Sequence, residues 1–350
     1  MNKQLRIGNY TTWRFYNRTW FIRPVSLILG TVLLSSAVLI GFVLLSFGSF
    51  STTTGDIWHS FIDPNTTETH VHLIIQDIRL PRIILALLVG SMLGLAGAAM
   101  QSVTRNGLAD PGLIGVKEGS LLAIVLTLIL FPSIGNVWLP IVAMAGGFIV
   151  AMSVILIARS LSGVRFILIG IGVSWALGAF ISFFIVSALI SDVQAAMVWL
   201  AGSLHSASWD VLTVTLPWAG LGLILLLMTI RSGGPMVLDN DIAVCLGVNH
   251  KYHIFMRLVA PVILTAASVA AVGSMGFVGL VAPHLARLIF GTHQLPFMFG
   301  SAICGALLVL VADGIGRLAF APLQIPAGAM MAIIGLPFLL FLLWLRRDTI

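Results

Sequence analysis

Three arginines are the residues whose type and position are best suited to chemistry. Arg79 and Arg82 enclose a Leu-Pro pair at the start of one apolar run, and Arg317 lies near the end of another. A guanidinium group at a helix end is suited to forked pairing with a carboxylate. Arginines in such positions can either pair with acidic groups or reach toward lipid phosphates.

The common signatures of catalysis are absent from the sequence. It contains no G-x-x-x-x-G-K-[ST] loop, no H-E-x-x-H and no G-x-S-x-G. His70-x-His72 has no further ligand paired to it, and Cys245 and Cys304 belong to no Cys/His cluster. We therefore predict no enzyme activity for this chain, no metal site and no cofactor.

The composition is that of a membrane protein. Hydrophobic residues make up 59% of the chain and charged residues 9%, whereas a soluble domain has about 25% charged residues. The basic residues stand singly in short loops, so no nucleic-acid surface is predicted. Long apolar runs predict ten membrane helices, near 25–47, 81–104, 113–131, 137–158, 166–189, 211–230, 258–274, 276–290, 297–316 and 326–345.

The basic residues also orient these helices. If the amino terminus lies in the cytoplasm, all but three of the 18 lysines and arginines fall on the inner side, as the positive-inside rule requires. The exceptions are Arg79, Arg82 and Arg317. The predicted fold is an all-α polytopic protein of the cytoplasmic (inner) membrane, with both termini in the cytoplasm. Residues 1–350 form one domain, and 1–24 form a cytoplasmic segment.

Small residues in the second predicted helix indicate close helix packing. Gly90, Gly94 and Gly97 share one face of it, and Gln101 follows one turn later. No acid stands in the middle of a predicted helix, because Asp313 lies near an outer end and Asp110 and Glu118 lie near an inner loop. This distribution argues against a proton or sodium symporter.

The inner segment 231–257 contains a short helix pattern. Asp239-Asn240-Asp241 supplies amino-terminal caps, a helical run follows over 242–246, and Gly247 ends it. Taken alone, this pattern is more typical of a surface or lipid-interface helix than of a docking element.

Several stretches of the chain, taken in order, form a recognisable pattern. They are Arg79-Leu-Pro-Arg82, the helix from Gly90 to Gln101, the loop from Asn106 to Gly115, Leu246-Gly247, the segment from Gly276 to Arg287, Ala312-Asp313 with Arg317, Leu323 to Gly328, and Gly335-x-Pro337. By these stretches the chain resembles, over nearly its whole length, the FecCD family, the permeases of iron-siderophore and vitamin B12 ABC importers. One departure is Gly107, where the family usually has proline.

The resemblance implies a vitamin B12 importer permease-like bundle that pairs with a second permease protomer, either a copy or a paralogue. It also implies two ABC ATPase subunits inside and an extracytoplasmic binding protein outside, whose carboxylates pair with Arg79, Arg82 and Arg317. The cytoplasmic gate would be formed by Leu161, Ser162 and Gly163. ATPase coupling would involve Asp239, Asp241, Ile242, Leu246, Gly247, Val248 and His250.

A permease for ferric siderophores is the function that this resemblance favours, because siderophores are the commonest substrates of the family. A large chelate suits a wide path without mid-membrane charge. Vitamin B12 and haem remain alternatives. A carrier that works without ATP is a rival class, and the inner segment 231–257 distinguishes it. An intramembrane enzyme would need an acid, base or metal constellation, and none is found.

Overall fold

The computed structural model describes residues 6–7, 10–15, 18–22, 24–48, 50, 52–62, 69–131, 133, 138–158, 164–187, 190–230 and 250–345. Helices dominate these residues: α1 (Pro24–Ser46), α2 (Thr54–Ile62), α3 (Thr69–Leu73), α4 (Leu80–Thr104), α5 (Val116–Leu130), α6 (Leu139–Ala158), α7 (Val164–Ser187), α8 (Ile190–Ala201), α9 (Trp209–Ile230), α10 (His250–Val272), α11 (Val278–Phe290), α12 (Gln294–Leu318) and α13 (Ala327–Leu345).

Each predicted membrane span coincides with one of these helices. Seven helical segments of the described residues are long and apolar enough to cross a membrane, and they contain α1, α4, α6, α7, α9, α10 and α12. The remaining three predicted spans coincide with α5, α11 and α13. The all-α membrane fold that the apolar runs predict is therefore confirmed.

The N-terminal segment adds a small antiparallel sheet that the sequence analysis did not include. Its strands are β1 (Arg6–Ile7), β2 (Tyr10–Phe15) and β3 (Arg18–Ile22), in the order β1-β2-β3. Trp13 lies opposite Trp20 in the register of β2 and β3. The aromatic and threonine content of these strands favours extended backbone.

The centre of the bundle is formed by α4, which packs closely on α11 and α12. A Cβ atom on Gly90 would overlap the backbone of Gly305, and one on Gly94 would overlap that of Ser301, both on α12. Gly97 meets the carbonyl of Gly279 on α11 in the same way. The small residues thus let three helices approach until their backbones touch.

Two loops differ from the sequence analysis. The connection between the first two predicted membrane helices is itself partly helical, because it contains α2 and α3, and a π-helical turn (Ile74–Arg79) joins α3 to α4. On the inner side, α10 begins at His250 and so takes up residues that were assigned to the inner segment 231–257. The short helices α2 and α3 and the first turns of α10 contain too few consecutive apolar residues to appear as long apolar runs.

Candidate functional site: the outer arginine cluster

Arg82 forms a buried ion pair across the bundle. It lies in the first turn of α4, after Pro81, and faces Asp313 near the end of α12. Its Nε lies 2.9 Å from Asp313 Oδ2 and its Nη2 lies 2.8 Å from Asp313 Oδ1. Nη1 also donates to Gln324 Oε1 at 3.1 Å. The forked geometry satisfies the carboxylate with two charge-assisted hydrogen bonds and fixes α4 to α12.

Arg79 and Arg317 instead bind the C-terminal end of α1. Arg79 donates to the carbonyls of Leu45 and Phe50, and its Nη1 lies 2.8 Å from Thr52 Oγ1. Arg317 Nη2 donates to the carbonyls of Leu44 and Phe47, the latter at 3.2 Å. The last carbonyls of a helix have no partner within it and carry partial negative charge, so two cations stabilise this end.

Gly48 leaves the space that this arrangement needs. A Cβ atom at this position would lie 2.7 Å from Arg79 Nη2. The turn after α1 can therefore wrap around the guanidinium group. All three arginines are buried in the chain.

The three predicted docking arginines thus lie at one end of the bundle, but each is engaged inside the chain. Arg82 has Asp313 as its counter-ion, whereas no ion pair is formed by Arg79 or Arg317 within the described residues. Docking of an acidic partner stays a prediction. Sequence reasoning missed the internal acceptors. The four-residue spacing of Asp313 and Arg317 suggests an ion pair within α12, but in the structure Asp313 forms its ion pair with Arg82.

A second polar contact lies between α4 and α11. Arg287 Nη2 donates to Gln101 Oε1 at 3.1 Å, and Gln101 Nε2 lies 3.4 Å from the carbonyl of Leu280. The Arg287 guanidinium also lies 5.1 Å from the centre of the Phe297 ring. A Cβ atom on Gly107 would be 3.3 Å from Arg287 Nη1. The position at which the sequence departs from the family pattern therefore borders this arginine.

The segment after α4 folds back between the helices. Asp110 accepts a hydrogen bond from the backbone N–H of Gly112 at 2.7 Å and caps a 3₁₀ turn, Pro111–Ile114. Gly115, at φ +77°, lies against Val150 and Ser174, which are central residues of α6 and α7. Asp110 also lines an internal cavity of about 30 Å³. Asp110 thus lies in the connection between α4 and α5, as expected, but this connection enters the bundle.

The predicted inner sites lie outside the described residues. This holds for the gate residues Leu161, Ser162 and Gly163 and for the coupling residues Asp239, Asp241, Ile242, Leu246, Gly247 and Val248. His250 is described as the first residue of α10. On the outer side, His72 Nδ1 lies 3.1 Å from Ser60 Oγ.

Known proteins are similar in sequence to this chain over most of its length. The chain is 35% identical over 322 residues to the iron-uptake system permease protein FeuC of Bacillus subtilis, covering 89% of this chain and 95% of FeuC. It is 32% identical over 319 residues to the ferric enterobactin transport system permease protein FepG of Escherichia coli, covering 91% of this chain and 96% of FepG.

A solved structure is also similar to this chain. It is described as an inward-facing conformation of a metal-chelate type ABC transporter, and it matches with a TM-score of 0.80 and 28% identity, covering 91% of this chain and 99% of the other. The sequence profile of the FecCD transport family matches residues 13–345. This chain, a multi-pass membrane permease, belongs to the FecCD transport family.

Proposed function

We propose that this chain forms the translocation path of an ABC importer that carries a ferric siderophore across the cytoplasmic membrane. The observation that carries the proposal is the match to a metal-chelate type ABC transporter along nearly the full length of both chains. The relatives compared above are named for iron uptake and for ferric enterobactin transport. The chain catalyses no reaction, and partner subunits hydrolyse ATP.

A second permease protomer, a copy or a paralogue, would cover part of α7. This helix exposes large apolar residues along its length, among them Leu168, Phe183 and Trp175, whose exposed fraction is 78%. Two ATPase subunits would bind the inner segment through Asp239, Asp241, Ile242, Leu246, Gly247, Val248 and His250. The gate at Leu161, Ser162 and Gly163 would close between the protomers.

The outer arginine cluster would receive the extracytoplasmic binding protein. Arg79 and Arg317 bind neutral carbonyls and so keep their net positive charge, which would attract acidic groups. Arg82 is neutralised by Asp313. Carboxylates of the partner would therefore be steered mainly by Arg79 and Arg317, and exchange of their internal acceptors would accompany docking.

Uptake in cells that lack the gene tests the proposal. Radiolabelled iron is supplied as several ferric siderophores and as ferric citrate, with haem and labelled vitamin B12 in parallel. We expect loss of uptake for one ferric chelate, restored by the plasmid-borne gene. If uptake of every ferric chelate were intact while vitamin B12 or haem uptake failed, the substrate assignment would be wrong and the permease architecture would stand.

A further inference from the structure

Helix α2 bridges the ends of two membrane-crossing helices. It starts directly after the turn that Thr52 fixes to the end of α1, where Thr52 Oγ1 lies 3.0 Å from the carbonyl of Ser46. Its last turn is fixed near the start of α4, since Gln76 Nε2 lies 3.3 Å from the carbonyl of Ser60. Helix ends of this kind mark the membrane boundary, so α2 runs along that boundary.

The start of α2 is defined by a reciprocal cap. The backbone N–H of Thr53 donates to Asp56 Oδ2 at 2.8 Å, and the backbone N–H of Asp56 donates to Thr53 Oγ1 at 3.2 Å. The backbone N–H of Thr53, and after it the Thr53 side chain, hold the pKa of Asp56 below its usual value. The cap makes α2 a defined helix at the boundary rather than an irregular loop.

Three faces of α2 have different surroundings. Ile57 and Ser60 are buried against the rest of the chain. Trp58 and Ile62, one turn apart, expose 65% and 62% of their surface, and Phe61 beside them is also exposed. At about 100° of rotation per residue, Asp56 falls on the side opposite Trp58, and His59 lies between Ile62 and Asp56, about 100° around the helix from Trp58. The helix therefore has one face toward the protein, one apolar and one polar.

We propose that α2 is an interfacial helix whose Trp58, Phe61 and Ile62 insert into the lipid bilayer at the end of α1. Exposed tryptophan and phenylalanine are favoured at the boundary between headgroups and acyl chains. Exposed apolar residues continue along the chain from the membrane-crossing helix α1 into α2, because Phe42 on α1, Phe47 and Phe50 are also exposed. Lipid is the occupant that this continuity favours, and it leaves the polar face with His59 toward water.

Insertion would hold the outer loop in place beside the arginine cluster. The turn between α1 and α2 contains Phe50 and Thr52, both of which Arg79 contacts. A helix fixed in the lipid on one side of this turn would keep the α1 carbonyls in register with Arg79. The inference requires only that the chain spans a membrane and does not depend on the substrate.

Spin labels on adjacent residues test this arrangement. Trp58→Cys and His59→Cys are made separately in the full chain with Cys245→Ser and Cys304→Ala, labelled with a nitroxide, and placed in nanodiscs of phosphatidylcholine and phosphatidylglycerol. Power saturation compares collisions with oxygen, which concentrates among acyl chains, and with a water-soluble nickel chelate. We expect oxygen to dominate at position 58 and the nickel chelate to dominate at position 59.

Either of two results would overturn the proposal. If the nickel chelate dominated at position 58 as at 59, the apolar face would lie in water and be left for a protein partner. If neither reagent reached position 58, protein would cover it. Phe61→Cys repeats the test on the same face, so a failure of Trp58→Cys to fold would not leave the inference undecided.

Discussion

Neutralising Asp313 should destabilise the bundle far more than neutralising an exposed charge. Asp313→Asn keeps the size of the side chain but removes the negative charge that faces Arg82. Both members of the pair are almost fully buried, with side-chain exposures of 9% and 4%. The substitution therefore leaves the Arg82 guanidinium buried without a counter-ion, with Gln324 as a remaining neutral acceptor.

The magnitude follows from the burial and the geometry. Breaking a buried ion pair by removing one partner costs about 3–5 kcal/mol, because an uncompensated charge stays behind. Replacing both partners by apolar residues of similar size costs less than the sum of the single changes, since no charge is left buried. We therefore expect Arg82→Met and Asp313→Leu each to lower the free energy of unfolding strongly, and the double variant to recover part of the loss.

The free energy of unfolding can be measured in detergent micelles titrated with sodium dodecyl sulfate and followed by circular dichroism. Lys117→Gln is the matched control, because Lys117 makes one contact of 3.5 Å with Glu118 and its side chain is 32% exposed. This pair is longer and less buried than the Arg82–Asp313 pair, so we expect it to contribute only about 0–1 kcal/mol. If Asp313→Asn cost no more than Lys117→Gln, the buried pair would not hold α4 to α12.

Three further perturbations test other contacts. Gly97→Val should prevent α4 from packing on α11 and cost more than about 3 kcal/mol by overpacking, whereas Gly220→Val should be near neutral in the same unfolding titration, because no atom lies within 4 Å of a Cβ there. Arg79→Glu with Arg317→Glu should weaken association with the cognate binding protein, most strongly at low salt, in pull-downs with folded variants; unchanged association would assign these arginines to α1 alone. Gly247→Trp should abolish ATP-driven uptake without reducing the amount of permease in the membrane, and intact uptake would contradict ATPase coupling through the inner segment.

The membrane helices could be predicted from the sequence because a bilayer imposes a simple requirement. Each crossing needs a long run of apolar residues, and runs such as 25–47 and 81–104 show it without any knowledge of neighbours. Helix α2 shows no such run, because only part of its surface is apolar. The path of the 105–115 segment could not be predicted from the sequence either. Its turn residues show where α4 ends, but they do not show that the chain then enters the bundle.

The hydrogen-bond acceptors of the outer arginines show why the sequence predicts which residues form a site but not which atoms those residues contact. The positive-inside rule identifies Arg79, Arg82 and Arg317 as exceptions. It shows which charges need an explanation, but it does not show what they contact. The cluster contains two kinds of hydrogen-bond acceptor, a carboxylate for Arg82 and helix carbonyls for Arg79 and Arg317. Carbonyl acceptors belong to the backbone of α1 and have no signal in residue type. These carbonyls accept hydrogen bonds without cancelling the positive charge of the guanidinium groups. Arg79 and Arg317 therefore fix the end of α1 and also keep a positive potential that would attract an acidic partner.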